Sequence, residues 1–173
     1  MPFAVTHILA PLILVAIIRD FFLKKKFSLH YVLIAGLAGI LPDIDVALFW
    51  VLYFFGFTFE QIHKTFLHSI LIPLFFFLLY LTFLSRKDKN KKLRLSIVFL
   101  MLAIGSLIHL ILDGIFGPTF QLFYPISNLQ VGFYLTDYLP YELQSLFLPS
   151  LDALLLIIWL IYLEVKHKIS DFI

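Results

Sequence analysis

The chain has 173 residues, a formal net charge of +2 and no cysteine, and 62% of its residues are hydrophobic. A soluble domain of this size could not bury so much apolar surface, so the composition predicts an integral membrane protein. The lack of cysteine excludes disulfides, thiolate nucleophiles and thiolate metal ligands. Any metal must therefore be held by imidazole and carboxylate groups.

Five apolar runs follow one another along the chain, at about 3–23, 30–57, 67–84, 95–116 and 148–163. A helix that spans a bilayer needs about 20 mostly apolar residues. The runs therefore predict an all-α polytopic membrane helix bundle of about five transmembrane helices, forming one domain over residues 1–173. The first run lacks the charged flank and cleavage site of a signal peptide, so we expect a retained helix. The second contains Leu41-Pro42-Asp43 and should be kinked or discontinuous, because proline removes a helix hydrogen bond.

The basic residues are distributed unevenly among the ends of these runs. Arg19, the lysines at 24–26, the cluster at 86–94 and the lysines at 166 and 168 all fall on one side, which leaves Lys64 alone on the other. Lysine and arginine mark the cytoplasmic side of short loops. This predicts an external N-terminus, a cytoplasmic C-terminus and a location in the plasma or inner membrane.

The same topology makes residues 117–147 an outer loop. This segment is apolar, aromatic and nearly uncharged, with Tyr124, Phe133, Tyr134, Tyr138 and Tyr141 among its aromatic residues. Amphipathic rings prefer the headgroup region of a bilayer. We therefore expect the segment to lie at the membrane interface and to contact lipids.

Seven ionisable residues interrupt the apolar runs, and the predicted topology brings them to a similar depth in the outer half of the bundle. They are His7, Asp43, Asp45, His63, His68, His109 and Asp113. An ionisable group inside a membrane costs about 2.5 kcal/mol or more, so this set needs a common explanation. It predicts that the seven residues bind one or two divalent ions, zinc or alternatively manganese.

Two aspartate motifs carry much of this prediction. His109 and Asp113 are four positions apart on one helix face, so they can bind one metal or bridge two; the alternative is a structural hydrogen bond. Asp43 and Asp45 follow a proline, so one can ligate a metal while the other orients a histidine or bridges to a second metal. The alternative for Asp43 is a capping role for a helix that begins at Ile44.

The remaining histidines have weaker spacing. His63 and His68 are five apart, so both reach one centre only if His63 precedes the helix; otherwise His63 is a solvated interfacial residue. His7 would be an ordinary polar residue if its depth did not place it with the others. Asp152 could join the site, whereas His30 lies among lysines at the inner interface and should not.

These motifs together resemble a known family. A histidine near the N-terminus (His7), Leu-Pro-Asp-Ile-Asp at 41–45, His-(x4)-His-Ser at 63–69 and His-(x3)-Asp at 109–113 before Gly-x-x-Gly-Pro resemble the YdjM-type family. Its members are described as inner-membrane metal-dependent hydrolases. The order also resembles, distantly, the zinc-dependent phospholipase C and single-strand nuclease superfamily, whose ligands build a multinuclear zinc cluster on helices. The resemblance covers roughly residues 6–118.

The chain departs from the family pattern in two places. Residues 63–68 read His-Lys-Thr-Phe-Leu-His where the family is expected to have His-Arg-Gly-x-Thr-His. No second His-(x3)-Glu/Asp pair follows Asp113, although soluble relatives carry one. The missing second pair favours one or two metal ions over three.

The resemblance and the polar cluster together predict a membrane-embedded hydrolase that cleaves a phosphoester at the extracytoplasmic face with a metal-activated water. The substrate would be a phospholipid or a lipid-linked phosphate, and Asp43 or Asp45 would be the general base. No outward basic face supports nucleic-acid binding. The alternatives are a divalent-cation or proton transporter that uses the same cluster, and a metal-stabilised membrane scaffold.

Overall fold

A computed structural model of the chain describes residues 3–24, 27–84 and 94–168. The structure is mostly helical, as the sequence predicts. Lys25, Lys26 and nearly all of the basic cluster at 86–94 lie outside the described residues, so the charge distribution around them remains a prediction from the sequence.

Seven α-helices and one short hairpin make up the described chain. The helices are α1 (Ala4–Ile17, continued by a π-helical turn at Ile18–Phe22), α2 (Leu29–Ala38), α3 (Ile44–Leu52, continued by a 3₁₀ turn at Tyr53–Phe55), α4 (Phe59–Ile62), α5 (Leu71–Leu84), α6 (Leu95–Phe116) and α7 (Tyr141–His167). Strand β1 (Phe120–Gln121) pairs antiparallel with β2 (Gln130–Val131), with Phe120 opposite Val131. A 3₁₀ turn at Leu135–Tyr138 precedes α7.

Three of the described helices are long and apolar enough to cross a membrane. They are α1 with its π-helical turn, α6 and α7; helices α2, α3 and α5 are apolar but shorter. The second apolar run is divided as predicted, because α2 ends at Ala38 and α3 begins at Ile44, with Pro42 in the break. Helix α7 begins at Tyr141, inside the segment predicted as a loop. Pro140 precedes its first turn and Glu142 lies within it, and an acidic residue there favours a helix start.

Small residues bring α1, α2 and α6 into close contact. A Cβ atom added at Gly39 in the α2–α3 break would lie 1.9 Å from the carbonyl oxygen of His7 in α1. One added at Gly105 in α6 would lie 2.4 Å from the carbonyl oxygen of Ala35 in α2. Membrane helices gain stability from such close packing rather than from burial against water. The result is that the start of α1, the end of α2 and the second half of α6 lie side by side.

Helix α7 packs along α1, and polar side chains join the two helices at both ends of α1. Near the start of α1, the Thr6 hydroxyl donates a hydrogen bond to Asp152 in the middle of α7. Near its end, the Tyr162 hydroxyl donates to Asp20 Oδ2 at 2.6 Å, and Arg19 forms an ion pair with the same aspartate. Many other side chains of α7 are exposed apolar groups, which suits a surface that faces lipid.

Candidate metal centre

The fold gathers all seven predicted polar residues at one end of the bundle. Helix α1 contributes His7, the α2–α3 break and the first turn of α3 contribute Asp43 and Asp45, the α4–α5 connection contributes His63 and His68, and α6 contributes His109 and Asp113. Five of them are at most 2% exposed: His7, Asp45, His68, His109 and Asp113. Parts of the chain that are distant in sequence therefore share one buried polar cluster.

Four donor atoms form the middle of this cluster. The Nε2 atoms of His68 and His109 are 3.2 Å apart. Asp43 Oδ1 lies 3.4 Å and 3.7 Å from them, and Asp113 Oδ2 lies 3.6 Å and 3.8 Å from them. Ligands about 2.0–2.1 Å from a tetrahedral zinc ion are about 3.3 Å from one another. The two imidazoles together with either carboxylate therefore have the spacing and the chemistry of zinc ligands.

The two central histidines present their Nε2 atoms to each other, and their other ring nitrogens face a carbonyl oxygen and a carboxylate. His109 Nδ1 donates to the carbonyl oxygen of Gly39 at 2.6 Å, which leaves a lone pair on Nε2. His68 Nδ1 lies 3.1 Å from Asp45 Oδ2, within ion-pair distance although not aligned as a hydrogen bond, so the proton is favoured at Nδ1. At 3.2 Å these two nitrogens can share a hydrogen bond when one of them carries a proton, and they can share a divalent ion when neither does. A bound divalent ion fits this arrangement.

Several buried polar atoms of the cluster have no hydrogen-bond partner among the described residues. They are both ring nitrogens of His7, Oδ1 of Asp43, Nδ1 of His68 and both carboxylate oxygens of Asp113. Buried polar atoms are nearly always satisfied, so such a concentration indicates a ligand. Burial by itself would lower the pKa of His68 in the α4–α5 connection, yet the carboxylates of Asp43 and Asp45 raise it above its usual value. The site therefore attracts positive charge.

Asp113 and His7 extend the cluster to one side. His7 stacks on His109 with 3.9 Å between ring centroids, and its Nε2 is 3.4 Å from Asp113 Oδ1. Asp113 therefore directs one oxygen to the central histidine pair and the other to His7. Such a carboxylate can bridge two ions or bind one.

The two aspartates of the Leu-Pro-Asp-Ile-Asp segment have different surroundings. Asp45 accepts at Oδ1 from His63 Nδ1 at 3.0 Å and at Oδ2 from the backbone N–H of Lys64 at 3.1 Å, so it orients the α4–α5 connection. Asp43 precedes α3, but its side chain makes no capping hydrogen bond and faces the central histidines instead. Capping therefore does not account for the Asp43 carboxylate.

His63 lies just after α4 and before α5, which is the arrangement that its spacing from His68 requires. It contacts Asp45, with its ring centroid 5.2 Å from that of His68. Asp152 is hydrogen-bonded to Thr6 and belongs to none of the metal-binding groups found among the described residues.

Sequence reasoning missed Lys64 as a member of the cluster. Its Nζ lies 3.3 Å from Asp113 Oδ2, and the side chain is only 11% exposed. It donates a long hydrogen bond of 3.5 Å to the carbonyl oxygen of Pro118. The signal available in the sequence was its position next to His63 within the histidine motif.

The described residues form three groups that could hold a metal ion, and these groups overlap. They are His7, His109 and Asp113; Asp43, His68 and His109; and Asp45, His63 and His68. His109 belongs to the first two and His68 to the last two. A free Nε2 serves one ion, so at most two groups can be filled together. Buried histidines and aspartates are thus positioned to hold a divalent ion.

Comparisons with known proteins agree with the resemblance that these motifs carry. Neither the curated proteins nor the solved structures give a match to this chain. A family model, described as YdjM inner membrane protein, matches residues 1–169 and therefore nearly the whole sequence. The chain belongs to the YdjM inner membrane protein family.

Proposed function

We propose that this protein is a membrane-embedded, metal-dependent hydrolase that cleaves a phosphoester of a lipid or a lipid-linked phosphate at the extracytoplasmic face. The observation that carries the proposal is the pair of facing Nε2 atoms of His68 and His109, with the carboxylates of Asp43 and Asp113 beside them. A divalent ion, zinc or manganese, held by the two histidines and at least one of these carboxylates would supply a Lewis acid and lower the pKa of a bound water toward about 7.

Asp43 is the residue best placed to accept a proton from water. Its side chain is 25% exposed, whereas those of His68, His109 and Asp113 are fully buried. Because Oδ1 faces the histidine pair, Oδ2 remains available to take the proton. Asp45 has both oxygens in use and serves to orient His68.

The connection between α6 and α7 supports a lipid substrate. Phe133, Tyr138 and Tyr141 are 72%, 81% and 85% exposed. The backbone N–H of Phe133 donates to the carbonyl oxygen of Gly114 at 2.7 Å, which holds the connection against the end of α6 beside Asp113. Exposed amphipathic rings at this end of the bundle suit the headgroup region, from which a lipid would enter.

The orientation is part of the same proposal. Five crossings result if α2 and α3 together form one crossing and α5 forms another beside the three longer helices. The metal centre and Arg19 lie at opposite ends of α1, and Lys64 is the one basic residue that the sequence assigns to the end with the metal centre. The excess of lysine and arginine at the other end supports an extracytoplasmic metal centre.

The first experiment measures the metal content of the purified protein by elemental mass spectrometry. The wild type should carry one or two equivalents of zinc or manganese, and the double variant His109→Ala/Asp113→Ala should carry none. His30→Ala is the matched control, because His30 is an exposed residue of α2 far from the cluster. Wild-type protein without a bound transition metal would contradict the proposal.

The second experiment tests turnover. Metal-loaded protein is incubated with phospholipid vesicles, lipid-linked phosphates and a soluble phosphodiester, and released products are measured. The wild type and His30→Ala should hydrolyse a lipid substrate, and the double variant should not. If the protein binds metal but hydrolyses no ester, the metal-stabilised scaffold becomes the better explanation of the site. Metal uptake into vesicles that contain the protein would indicate a transporter instead.

A further inference from the structure

The side chains of Asp43, His63 and Lys64 are more exposed than those at the middle of the candidate metal centre. Their side chains are 25%, 9% and 11% exposed. The central residues His68 and His109 are fully buried. We call Asp43, His63 and Lys64 the rim of the site, and Lys64 supplies its ammonium group.

The backbone of Lys64 is held in an unusual conformation. Its φ of 61° lies in the left-handed region, which residues other than glycine seldom adopt. Its N–H donates to Asp45 Oδ2 at 3.1 Å. A conformation of this kind persists only where the surroundings impose it, and such positions concentrate at functional sites. The loop thereby directs the lysine side chain into the metal centre instead of toward solvent.

The Gly117-Pro118 turn leaves room for the lysine. A Cβ atom at Gly117 would lie 3.3 Å from Lys64 Nζ and 2.8 Å from the carbonyl oxygen of Asp113. The ammonium contacts Asp113 Oδ2 at 3.3 Å and the Pro118 carbonyl oxygen at 3.5 Å. An ammonium has three N–H donors, so beyond these two described neighbours one remains for an incoming oxygen atom.

The charges of the site also favour an anion at this position. Asp43, Asp45 and Asp113 bring three negative charges into a buried cluster, and one divalent ion alone would leave the cluster negative. With the ammonium of Lys64, the charges of the three carboxylates and one divalent ion add up to zero. A neutral site no longer repels an approaching anion. A lysine ammonium is a compact charge that suits phosphate oxygens.

We infer that Lys64 forms an oxyanion subsite at the rim, where its ammonium binds a non-bridging oxygen of a tetrahedral anion such as phosphate. The choice of phosphate rests on the proposed function. Binding of the anion requires no turnover, however, so the subsite can be tested even if the protein hydrolyses nothing.

The test measures binding of inorganic phosphate to zinc-loaded, full-length protein in detergent by isothermal titration calorimetry, with metal content determined on the same samples. Lys64→Gln and Lys64→Met remove the charge, and Lys64→Met also keeps an apolar stem that suits a buried position. Lys64→Arg keeps the charge. Lys166→Gln is the matched control, because Lys166 lies over the Phe21 ring at the other end of the bundle.

The neutral variants should keep the metal content of the wild type and bind phosphate at least tenfold more weakly. Lys64→Arg should stay within about threefold of the wild type, and Lys166→Gln should match it. Phosphate affinity unchanged in the neutral variants, or loss of their metal, would overturn the inference, since Lys64 would then serve only to hold Asp113. Phosphate binding that depends on Lys64 without turnover of any ester would support the subsite while contradicting the hydrolase.

Discussion

His109 donates its Nδ1–H to the carbonyl oxygen of Gly39 at 2.6 Å, so the close contact between α6 and the end of α2 also orients an imidazole of the candidate metal centre. The backbone of Gly39 is also in close contact with the backbone of His7 in α1. One glycine therefore joins the packing of three helices to the chemistry of the site. The histidine needs this partner because a lone pair on Nε2 requires the proton to be on Nδ1.

Gly39→Ala should therefore damage both stability and metal binding. The added Cβ would lie 1.9 Å from the His7 carbonyl oxygen, so α1 and α2 must separate and the acceptor of His109 must move. We expect a loss of more than about 2 kcal/mol in the free energy of unfolding, together with weaker zinc binding. Thermal unfolding in detergent, with and without zinc, measures both.

Gly114→Ala is the control for this prediction. A Cβ there meets only Phe120 Cε1 at 3.8 Å, an ordinary contact, and alanine favours helix. This variant should unfold within about 1 kcal/mol of the wild type. Equal stability of Gly39→Ala and Gly114→Ala would mean that the contact of α1 with α2 is not as tight as the structure has it.

Much of the helical framework could be predicted from apolar runs and helix breakers. Helix α6 occupies the predicted residues, and the break around Pro42 appears where the proline requires it. The early start of α7 was missed because hydropathy locates the apolar part of a helix, whereas this helix begins with polar residues after Pro140. The hairpin of β1 and β2 is too short for an alternating pattern to reveal.

The membership of the candidate site could be predicted better than the contacts within it. Depth along the helices was enough to group the histidines and aspartates. It could not separate Asp43 from Asp45, because their directions depend on the backbone after Pro42, which tertiary contacts decide. Lys64 was missed for a similar reason, since its inward direction follows from a left-handed backbone imposed by Asp45.

Asp45→Asn tests whether this carboxylate orients the histidines. The amide keeps the shape but removes the negative charge and replaces one acceptor by a donor, which conflicts with the N–H of Lys64 or with His63. We expect zinc affinity to fall about 10- to 100-fold, with metal content restored at high zinc. Competition with a chromophoric chelator measures the affinity.

Asp137→Asn is the matched control for this change, because Asp137 is exposed in the 3₁₀ turn before α7. It should bind zinc like the wild type. If Asp45→Asn also keeps the wild-type affinity, the contacts of Asp45 do not serve the metal.

Removal of metal should lower the stability of the wild type. Without a cation, both ring nitrogens of His7 and both carboxylate oxygens of Asp113 stay buried with no hydrogen-bond partner among the described residues. Metal at about a thousand times its Kd stabilises the folded state by about 4 kcal/mol. Thermal unfolding with zinc and with a chelator should therefore differ by several degrees, and His109→Ala/Asp113→Ala should show no such difference. If the wild type has the same Tm with zinc and with the chelator, this expectation is wrong.

Asp152→Ala decides whether Asp152 belongs to the metal centre or to the contact between α1 and α7. The structure places its carboxylate on the hydroxyl of Thr6, which is fully buried and next to His7 in sequence. Loss of a hydrogen bond to a charged group costs about 1.5 to 3 kcal/mol, so Tm should fall while the metal content stays that of the wild type. Thr6→Val removes the same bond from the other side and should have a similar effect. Metal loss in Asp152→Ala but not in Thr6→Val would instead make Asp152 a ligand, because only the aspartate can bind a cation directly.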